Sequence, residues 1–497
     1  MKQMVVKDTK LKTGGVIVVI LSEKDAADMD VHNSDRIKIC YKSREVNAIV
    51  DIYSGNVKPG IIGMVYELLD ALKVKNGDIV KVMPSKRPLS LHYIKRKLDG
   101  HRLKKKEIKT IIQDIAYNNL SDIEITYFVS ASYIYGLNRQ ETIDLTQSMV
   151  ETGEFLNLKS KQIVDLHSIG GVVGNRTTMI VVPIIAAAKL YMPKTSSRSI
   201  TSPAGTADTM EVLCKVKFSI KEMRDIVKTN YGCIIWGGAL NLAPTDDRFI
   251  RIEHPLSIDA EGQMLASIMA KKLSVSSTHL LIDIPYGDGS KVSTRKEAQH
   301  LKKKFEYIGK TANIKVKVVL TDGSQPIGSG FGCSLEAIDC LNVLMNKEGC
   351  PKDLKDKSVW LSGLIFEMVG KAKRGQGEKL AKEILESGKA YDSMLKIIKA
   401  QGGKKPDVNK IKPGKFKTNI HANRSGKLRK ISNRRISRIA RIAGAPADFG
   451  AGIYIYNHVG DKVKKGEVIF TIYSNSKTML RYAADYYRKV KGTIQIR

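Results

Sequence analysis

The chain has 497 residues, and its 83 Lys and Arg against 50 Asp and Glu give a formal net charge of +33. That length allows about three domains, and 42% hydrophobic with 27% charged residues is an ordinary globular composition, which excludes bulk disorder. The longest apolar run, Met179 to Ala188, is interrupted by Pro183 and is far shorter than the ~20 residues a bilayer crossing needs, and the N-terminal stretch lacks a signal-peptide apolar core.

In chain order, the first predicted element is a repeat. Val31-His-Asn33-Ser34-Asp35-Arg-Ile37-Lys38-Ile39 matches Val74-Lys-Asn76-Gly77-Asp78-Ile-Val80-Lys81-Val82. Each copy is a short polar turn feeding an alternating strand, which predicts a pseudo-symmetric β-barrel over residues 1–84, similar to the double-psi barrels that precede some ATPase domains. Pro84 to Pro88 predicts a hinge. Helical periodicity then covers Tyr93 to Asp99, Lys104 to Asn118, Ser121 to Tyr135 and Asn138 to Glu151, with Ser121 and Glu124 spaced as a capping box. From about residue 160 short apolar runs alternate with helices. Cys233 to Trp236, His279 to Ile284 and Ile314 to Leu320 predict strands, and Asp259 to Lys272 and Thr294 to Ile308 predict helices. Residues 401–417 read as a Gly/Pro/Lys linker. A small β-rich domain follows, with a turn at Asn457 to Asp461 and one strand-like run from Val463 to Ile472.

The expected architecture is therefore multidomain α/β. It has the barrel at 1–84, a helical lobe at 88–155 with 240–274, an α/β lobe at 156–239 with 275–400, and a C-terminal α+β domain at 411–497. The six cysteines are dispersed and form no CxxC pair, so buried free thiols in a reducing cytoplasm are expected rather than a zinc knuckle or disulfide framework.

Two stretches carry anion chemistry. Residues 166–178, LHSIGGVVGNRTT, put Gly170, Gly171 and Gly174 before an apolar helix. Glycines let the backbone approach an anion, and a helix start offers free N–H groups, although a tight turn has the same pattern. The second stretch, Thr195 to Thr206, holds seven hydroxyl residues and Arg198. Such a segment makes a poor core and a good phosphate cradle, because Arg grips phosphate bidentately while hydroxyls satisfy the other oxygens; a solvated loop is the plainer alternative. A third element is the stripe Asp259, Gln263, Ser267 and Lys271, one residue per turn of a helix, which fits either a cleft lining or a solvent face.

These strings, in this order, resemble the thymidine phosphorylase type of nucleoside phosphorylase. The shared set is LHSIGGVVGNRTT, then VPIIAAAKL, then PKTSSRSITSPAGTADTMEVL, then PLSIDAEGQMLASIMAKK, with AGAPADFGAGI and GDKVKKGE toward the end. The N-terminal barrel, and Ser197, Ser199, Thr201 and Ser202 where the nucleoside enzymes carry glycines and a histidine, resemble the archaeal AMP phosphorylase branch of that family. The resemblance implies a type II nucleoside phosphorylase-like fold. It also implies phosphorolysis of AMP, with CMP and UMP as further candidates, to free base and ribose 1,5-bisphosphate.

Residue by residue, the resemblance implies that Gly171 lies at the phosphate and sugar site. It implies that Ser197, Arg198, Ser199, Ile200, Thr201, Ser202 and Thr206 bind the nucleotide, with Ser267 and Lys291 as further substrate contacts. Asp259 matches the proton donor; that role requires a protonated carboxyl beside the leaving base. Ser168, Arg176, Thr178 and Lys271 are candidate phosphate or base contacts. Leu166 stands where the family has a lysine, which makes Arg176 the candidate replacement charge. No arginine precedes Arg248 where pyrimidine-specific relatives carry one. No cofactor and no metal are implied, since inorganic phosphate is a co-substrate, and the family is a homodimer or larger homo-oligomer. His167 is as readily structural as functional.

Other readings are a pyrimidine-nucleoside phosphorylase, a phosphoribosyltransferase of related fold, and a basic nucleic-acid-binding protein. The last is disfavoured because aromatic residues are only 6% and no aromatic RNP-like strand accompanies the basic clusters Lys95 to Lys109 and Lys404 to Arg441.

Overall fold

The computed structural model describes residues 1–14, 17–55, 58–199, 202–253, 255, 258 and 260–497. The chain divides into two compact units, residues 1–152 with 243–268, and residues 153–242 with 269–497.

The first unit opens with a closed barrel of β1 (Lys2–Asp8), β2 (Val18–Ser22), β3 (Arg36–Tyr41), β4 (Arg44–Tyr53), β5 (Ile61–Met64) and β6 (Ile79–Pro84), in the order β1-β5-β2-β4-β3-β6. Two short helices, α1 (Glu23–Met29) and α2 (Tyr66–Leu72), precede the two repeat copies. In each copy the turn needs one left-handed residue, Ser34 (φ 72°) or Gly77 (φ 92°), and the strands that follow, β3 and β6, pair with each other antiparallel. Alternation along them buries Ile37, Ile39, Val80 and Val82 completely.

Four helices follow, α3 (Ser90–Leu98), α4 (Lys105–Ala116), α5 (Asp122–Tyr135) and α6 (Arg139–Glu151). The predicted capping box is present: the Glu124 N–H donates to Ser121 Oγ (3.3 Å), and Glu124 Oε2 accepts from the Ser121 N–H (2.8 Å). A buried ion pair, Lys97 to Glu141 at 2.9 Å, joins α3 to α6. The unit also takes in helix Pro244–Glu253, whose Arg248 bonds the carbonyls of Ile115 (3.1 Å) and Leu120 (2.9 Å) and the Asp122 carboxylate (2.9 Å). Arg248 thereby clamps the α4–α5 connection.

The second unit is built on parallel strands β7 (Val164–Ser168), β8 (Met192–Ser196), β9 (Gly232–Trp236), β10 (His279–Tyr286) and β11 (Lys315–Asp322). The order β11-β10-β7 continues through a parallel bridge, Ile163 to Tyr191, into β8-β9. The helices that intervene in sequence are α7 (Thr177–Ala187), α8 (Thr206–Glu211), α9 (Ile220–Asn230), α10 (the Pro244–Glu253 helix of the first unit), α11 (Glu261–Ser274) and α12 (Arg295–Thr311). Almost every residue of α7 is buried, so its apolar run is a core helix. It packs against the four helices α13 (Cys333–Leu344), α14 (Lys352–Met368), α15 (Gly377–Glu386) and α16 (Lys389–Ala400), most extensively α14 and α16. The stretch read as a linker starts inside the core: Gln401 is fully buried, its Oε1 accepts from the Ile234 N–H (2.9 Å), and its Nε2 donates to the carbonyls of Ile234 (3.0 Å) and Lys215 (2.8 Å).

The C-terminal part is α+β. A strand of the α/β lobe, β12 (Gly330–Phe331), completes its sheet in the order β12-β15-β17-β13, from β13 (Phe416–His421), β15 (Gly452–Ile455) and β17 (Val468–Ser474). A second sheet holds β14 (Gly426–Ile431), β16 (Lys462–Val463) and β18 (Ile494–Ile496). The run predicted as one strand from Val463 to Ile472 is instead β16 and β17, separated by a turn at Gly466 (φ 86°) whose Lys464 N–H donates to the Glu467 carboxylate (2.8 Å). Two helices, α17 (Asn433–Ile442) and α18 (Lys477–Lys489), were not predicted. All six cysteines are free, four of them buried. Among the described residues no helix is long and apolar enough to cross a membrane.

Candidate active site

In parallel α/β sheets, ligands bind beyond the carboxyl ends of the strands. The second unit gathers most of the predicted site residues there. The first glycine stretch follows β7 and leads into α7. Gly170 and Gly171 have φ of 93° and 89°, in the left-handed region, so the turn requires glycine. A Cβ on Gly171 would stand 2.2 Å from the Lys291 backbone nitrogen and 2.8 Å from the Ser290 carbonyl carbon. The loop therefore lies directly against the turn after β10 that carries Lys291. Gly171→Ala is expected to push that turn away and raise the KM for phosphate by about tenfold or more, since strain of ~1–3 kcal/mol falls on backbone that cannot yield cheaply; initial rates against phosphate concentration measure it.

Ser168 sits at the end of β7. Its hydroxyl donates to Asp283 (3.2 Å) and accepts from Asn175 Nδ2 (3.1 Å), so it braces the loop. Asp283 is fully buried and also takes Thr321 Oγ1 (2.6 Å) and Lys357 Nζ (2.8 Å). Thr178, in the first turn of α7, is half-buried.

Arg176 does not face outward from this loop. It is 8% exposed; it pairs with the buried Glu336 and donates to the Ala204 carbonyl, which binds the first cradle to the second. Burial raises the Glu336 carboxyl, opposed by Arg176. With its guanidinium spent in this way, Arg176 is a brace between the cradles.

The positive charge comes instead from four lysines, of which sequence reasoning had found Lys271 and Lys291 and missed Lys194 and Lys272. All four bear on His167, and together with burial, the larger cause, they hold its imidazole well below the usual histidine range. His167 is therefore neutral at pH 7. Lys194 extends from β8 to the Leu166 carbonyl (2.7 Å) and to Asp165 (3.4 Å). Lys272, at the end of α11, pairs with the other oxygen of Asp165 at 2.8 Å. Burial, with Lys194 nearby, pushes Lys272 down to about 7 against the pull of Asp165. One buried carboxylate thus serves two buried ammonium groups, which leaves an excess of positive charge behind the Gly-rich loop. Lys194 occupies the carbonyl of Leu166, the residue that stands where the family has its lysine.

The second cradle follows β8. Asp208, in the first turn of α8, is its fastener: Oδ2 accepts from the Ser199 N–H (2.7 Å) and the Gly205 N–H (2.9 Å), and Oδ1 accepts from Arg198 (2.8 Å). Arg198 also grips Glu211 through two bonds of 2.5 and 2.9 Å and lies over the Trp236 ring at 5.0 Å. Ser199 and Ser202 donate within the loop, to the Ser202 and Ala204 carbonyls. Ser197 is exposed, Thr206 half-buried, and the buried Ser196 hydroxyl has no hydrogen-bond partner. Ile200, Thr201 and Asp259 lie outside the described residues.

In the first unit, α11 begins at Glu261. Gln263 is only 2% exposed, and neither of its amide atoms has a hydrogen-bond partner. Ser267 is half-buried on the same helix. Burial of Gln263 shows that the predicted polar stripe is not a plain solvent face.

Known families match along the chain. Residues 91–153 match a glycosyl transferase family helical bundle domain, residues 160–391 the corresponding a/b domain, and residues 427–496 a pyrimidine nucleoside phosphorylase C-terminal domain. AMP phosphorylase of Pyrococcus furiosus is 45% identical over 489 residues, covering 98% of this chain and 96% of that protein. The chain belongs to the AMP phosphorylase family. AMP phosphorylases of Methanocaldococcus jannaschii and Thermococcus kodakarensis are 44% and 46% identical, each over 96% of this chain, and over 96% and 95% of their own lengths. Among solved structures, anthranilate phosphoribosyltransferase from Thermus thermophilus superposes with a TM-score of 0.53 at 16% identity, covering 62% of this chain and 99% of that one; this is a likeness of fold. As an AMP phosphorylase family member the chain is a pentosyltransferase-type enzyme.

Proposed function

We propose that the chain phosphorolyses AMP, with CMP and UMP as further substrates, to free base and ribose 1,5-bisphosphate. The observation that carries this reading is the pair of anion cradles on adjoining parallel strands, one after β7 beside the lysine cluster and one after β8. A substrate with a phosphate on its sugar, reacting with a second phosphate, needs two such places. The names of the archaeal relatives agree with it.

In this reaction an oxygen of inorganic phosphate bonds to the anomeric carbon as the glycosidic C–N bond breaks, and the bonding pair leaves with the base. The transition state carries positive charge on the sugar, and the adjacent phosphate stabilises it electrostatically. Asp259 gives a proton to the leaving base. Lys271 and Lys291 hold the attacking phosphate, the buried Lys194 and Lys272 add positive charge from behind the loop, and the glycine loop supplies N–H donors. Inorganic phosphate is the co-substrate, and the reaction calls for no cofactor or metal. The free thiols suit a reducing cytoplasm. Ile123, Tyr127 and Ile134 of α5, 67%, 52% and 68% exposed, favour a homo-oligomer through the helical segment.

The test is phosphate-dependent base release from AMP, CMP, UMP, adenosine and thymidine. Release from AMP and not from adenosine is the expected result. Release from nucleosides and not from nucleotides overturns the reading.

A further inference from the structure

The C-terminal helix α17 touches both cradles. At its start, Asn433 is 1% exposed; its Oδ1 accepts from the Val173 N–H of the glycine loop (3.1 Å), and its Nδ2 donates to the Gly323 carbonyl (3.0 Å). At its other end, Arg441 Nη1 lies 3.4 Å from Ser199 Oγ and 3.4 Å from the Ser202 carbonyl of the second cradle. Between them Ile436, Ile439 and Ala440 are fully buried, so packing fixes the rotation of the helix. That rotation keeps Arg434 and Arg438 exposed on one stripe with Arg441.

The charges of the second cradle show why this contact matters. Arg198 is its own arginine, yet that guanidinium is engaged by both Asp208 and Glu211. Two carboxylates stand against this one guanidinium, with Lys217 acting on Glu211 from outside the loop, so no net positive charge is left there for a phosphate. A phosphate dianion entering there meets no net attraction unless a further cation stands at the cradle. Among the described residues, Arg441 is the arginine in contact with the Ser199 hydroxyl and the Ser202 carbonyl, and it arrives from a different part of the sequence.

We propose that Arg441 is the residue that holds the sugar-borne phosphate of the substrate and so decides for nucleotide over nucleoside. The proposal rests on the reaction proposed above. It makes the C-terminal region part of the substrate site, with Asn433 as a positioning residue that sets α17 against the glycine loop. Arg198 then shapes the cradle, and Arg441 supplies its net charge.

The test is calorimetric titration of AMP, adenosine and inorganic phosphate into the full-length chain and its variants R441Q, R441K and R438Q. A charged hydrogen-bond contact corresponds to a loss of about 10- to 100-fold in affinity. R441Q is expected to lose that much for AMP and nothing for adenosine. R441K is expected to recover part of it, and R438Q to match wild type. A wild-type chain that binds AMP no better than adenosine removes the reaction and this inference together. A wild type that prefers AMP, with R441Q keeping the full preference, removes only the inference. Equal losses for AMP and adenosine assign Arg441 to the fold and overturn it too. A loss confined to inorganic phosphate moves Arg441 to the other site and likewise overturns the inference.

Discussion

Asp165→Asn is expected to destabilise the second unit by about 3–5 kcal/mol, the usual cost of removing one partner from a buried ion pair. Asp165 is fully buried and is the carboxylate for both Lys194 and Lys272, which are 5% and 2% exposed. Asparagine keeps the shape and removes the charge, so the two lysines lose the carboxylate that offsets them, and wherever Lys272 is protonated two ammonium groups face each other. The pH dependence identifies the cause. The Lys272 ammonium, down at about 7 from 10.5 in the wild type, binds fewer protons folded than unfolded between those values, so stability rises with pH across that window. Without Asp165 the lysine falls further, so the window opens below pH 7. The deficit should therefore be largest well below pH 7 and level off above it, where Lys272 is neutral in both folded chains. Urea unfolding of both chains at several pH values measures this. A deficit independent of pH would show that lost packing, and not lost charge, is responsible.

Asp259→Asn is expected to lower kcat by about 10²- to 10⁴-fold, the range of general-acid assistance, with AMP binding nearly unchanged. The departing purine is a poor anion, and asparagine has no proton to give to its ring nitrogen at useful cost. The assignment stands on the match of residues 255–272 to the family string, with Asp259 four residues before Gln263 and eight before Ser267 in the sequence. Single-turnover base release, together with AMP titration, separates chemistry from binding. Wild-type turnover in the variant would remove Asp259 as the acid and direct attention to the half-buried or buried polar groups that follow it on α11.

What the sequence made legible is mostly local. The barrel was visible because each repeat copy carries its own turn chemistry, Asn-Ser-Asp or Asn-Gly-Asp, ahead of an alternating strand. The first cradle was visible because glycines forced into the left-handed region leave a compositional mark. The lysines as one cluster were not, because Lys194, Lys271, Lys272 and Lys291 come from β8, α11 and the turn after β10, and only the parallel sheet brings them to His167. Arg176 looked available because its partner, Glu336, is 160 residues away. Helix α17 was hidden by its arginines: the segment read as a basic cluster, while Ile436, Ile439 and Ala440 form the buried face that makes it an amphipathic helix.

Gln401 has a consequence for how the sheet ends. Strand β9 has β8 on one side, and on the other Ile234 turns an N–H and a carbonyl toward the Gln401 carboxamide. A carboxamide offers the same donor and acceptor as one peptide unit, so a single side chain stands in for a sixth strand. An open edge is a template on which another molecule's strand can grow. Here the template positions are already taken, at Ile234 by this one amide and at Trp236 by the Val216 carbonyl, which accepts its N–H at 2.8 Å, so the chain protects this edge from edge-to-edge aggregation without a strand.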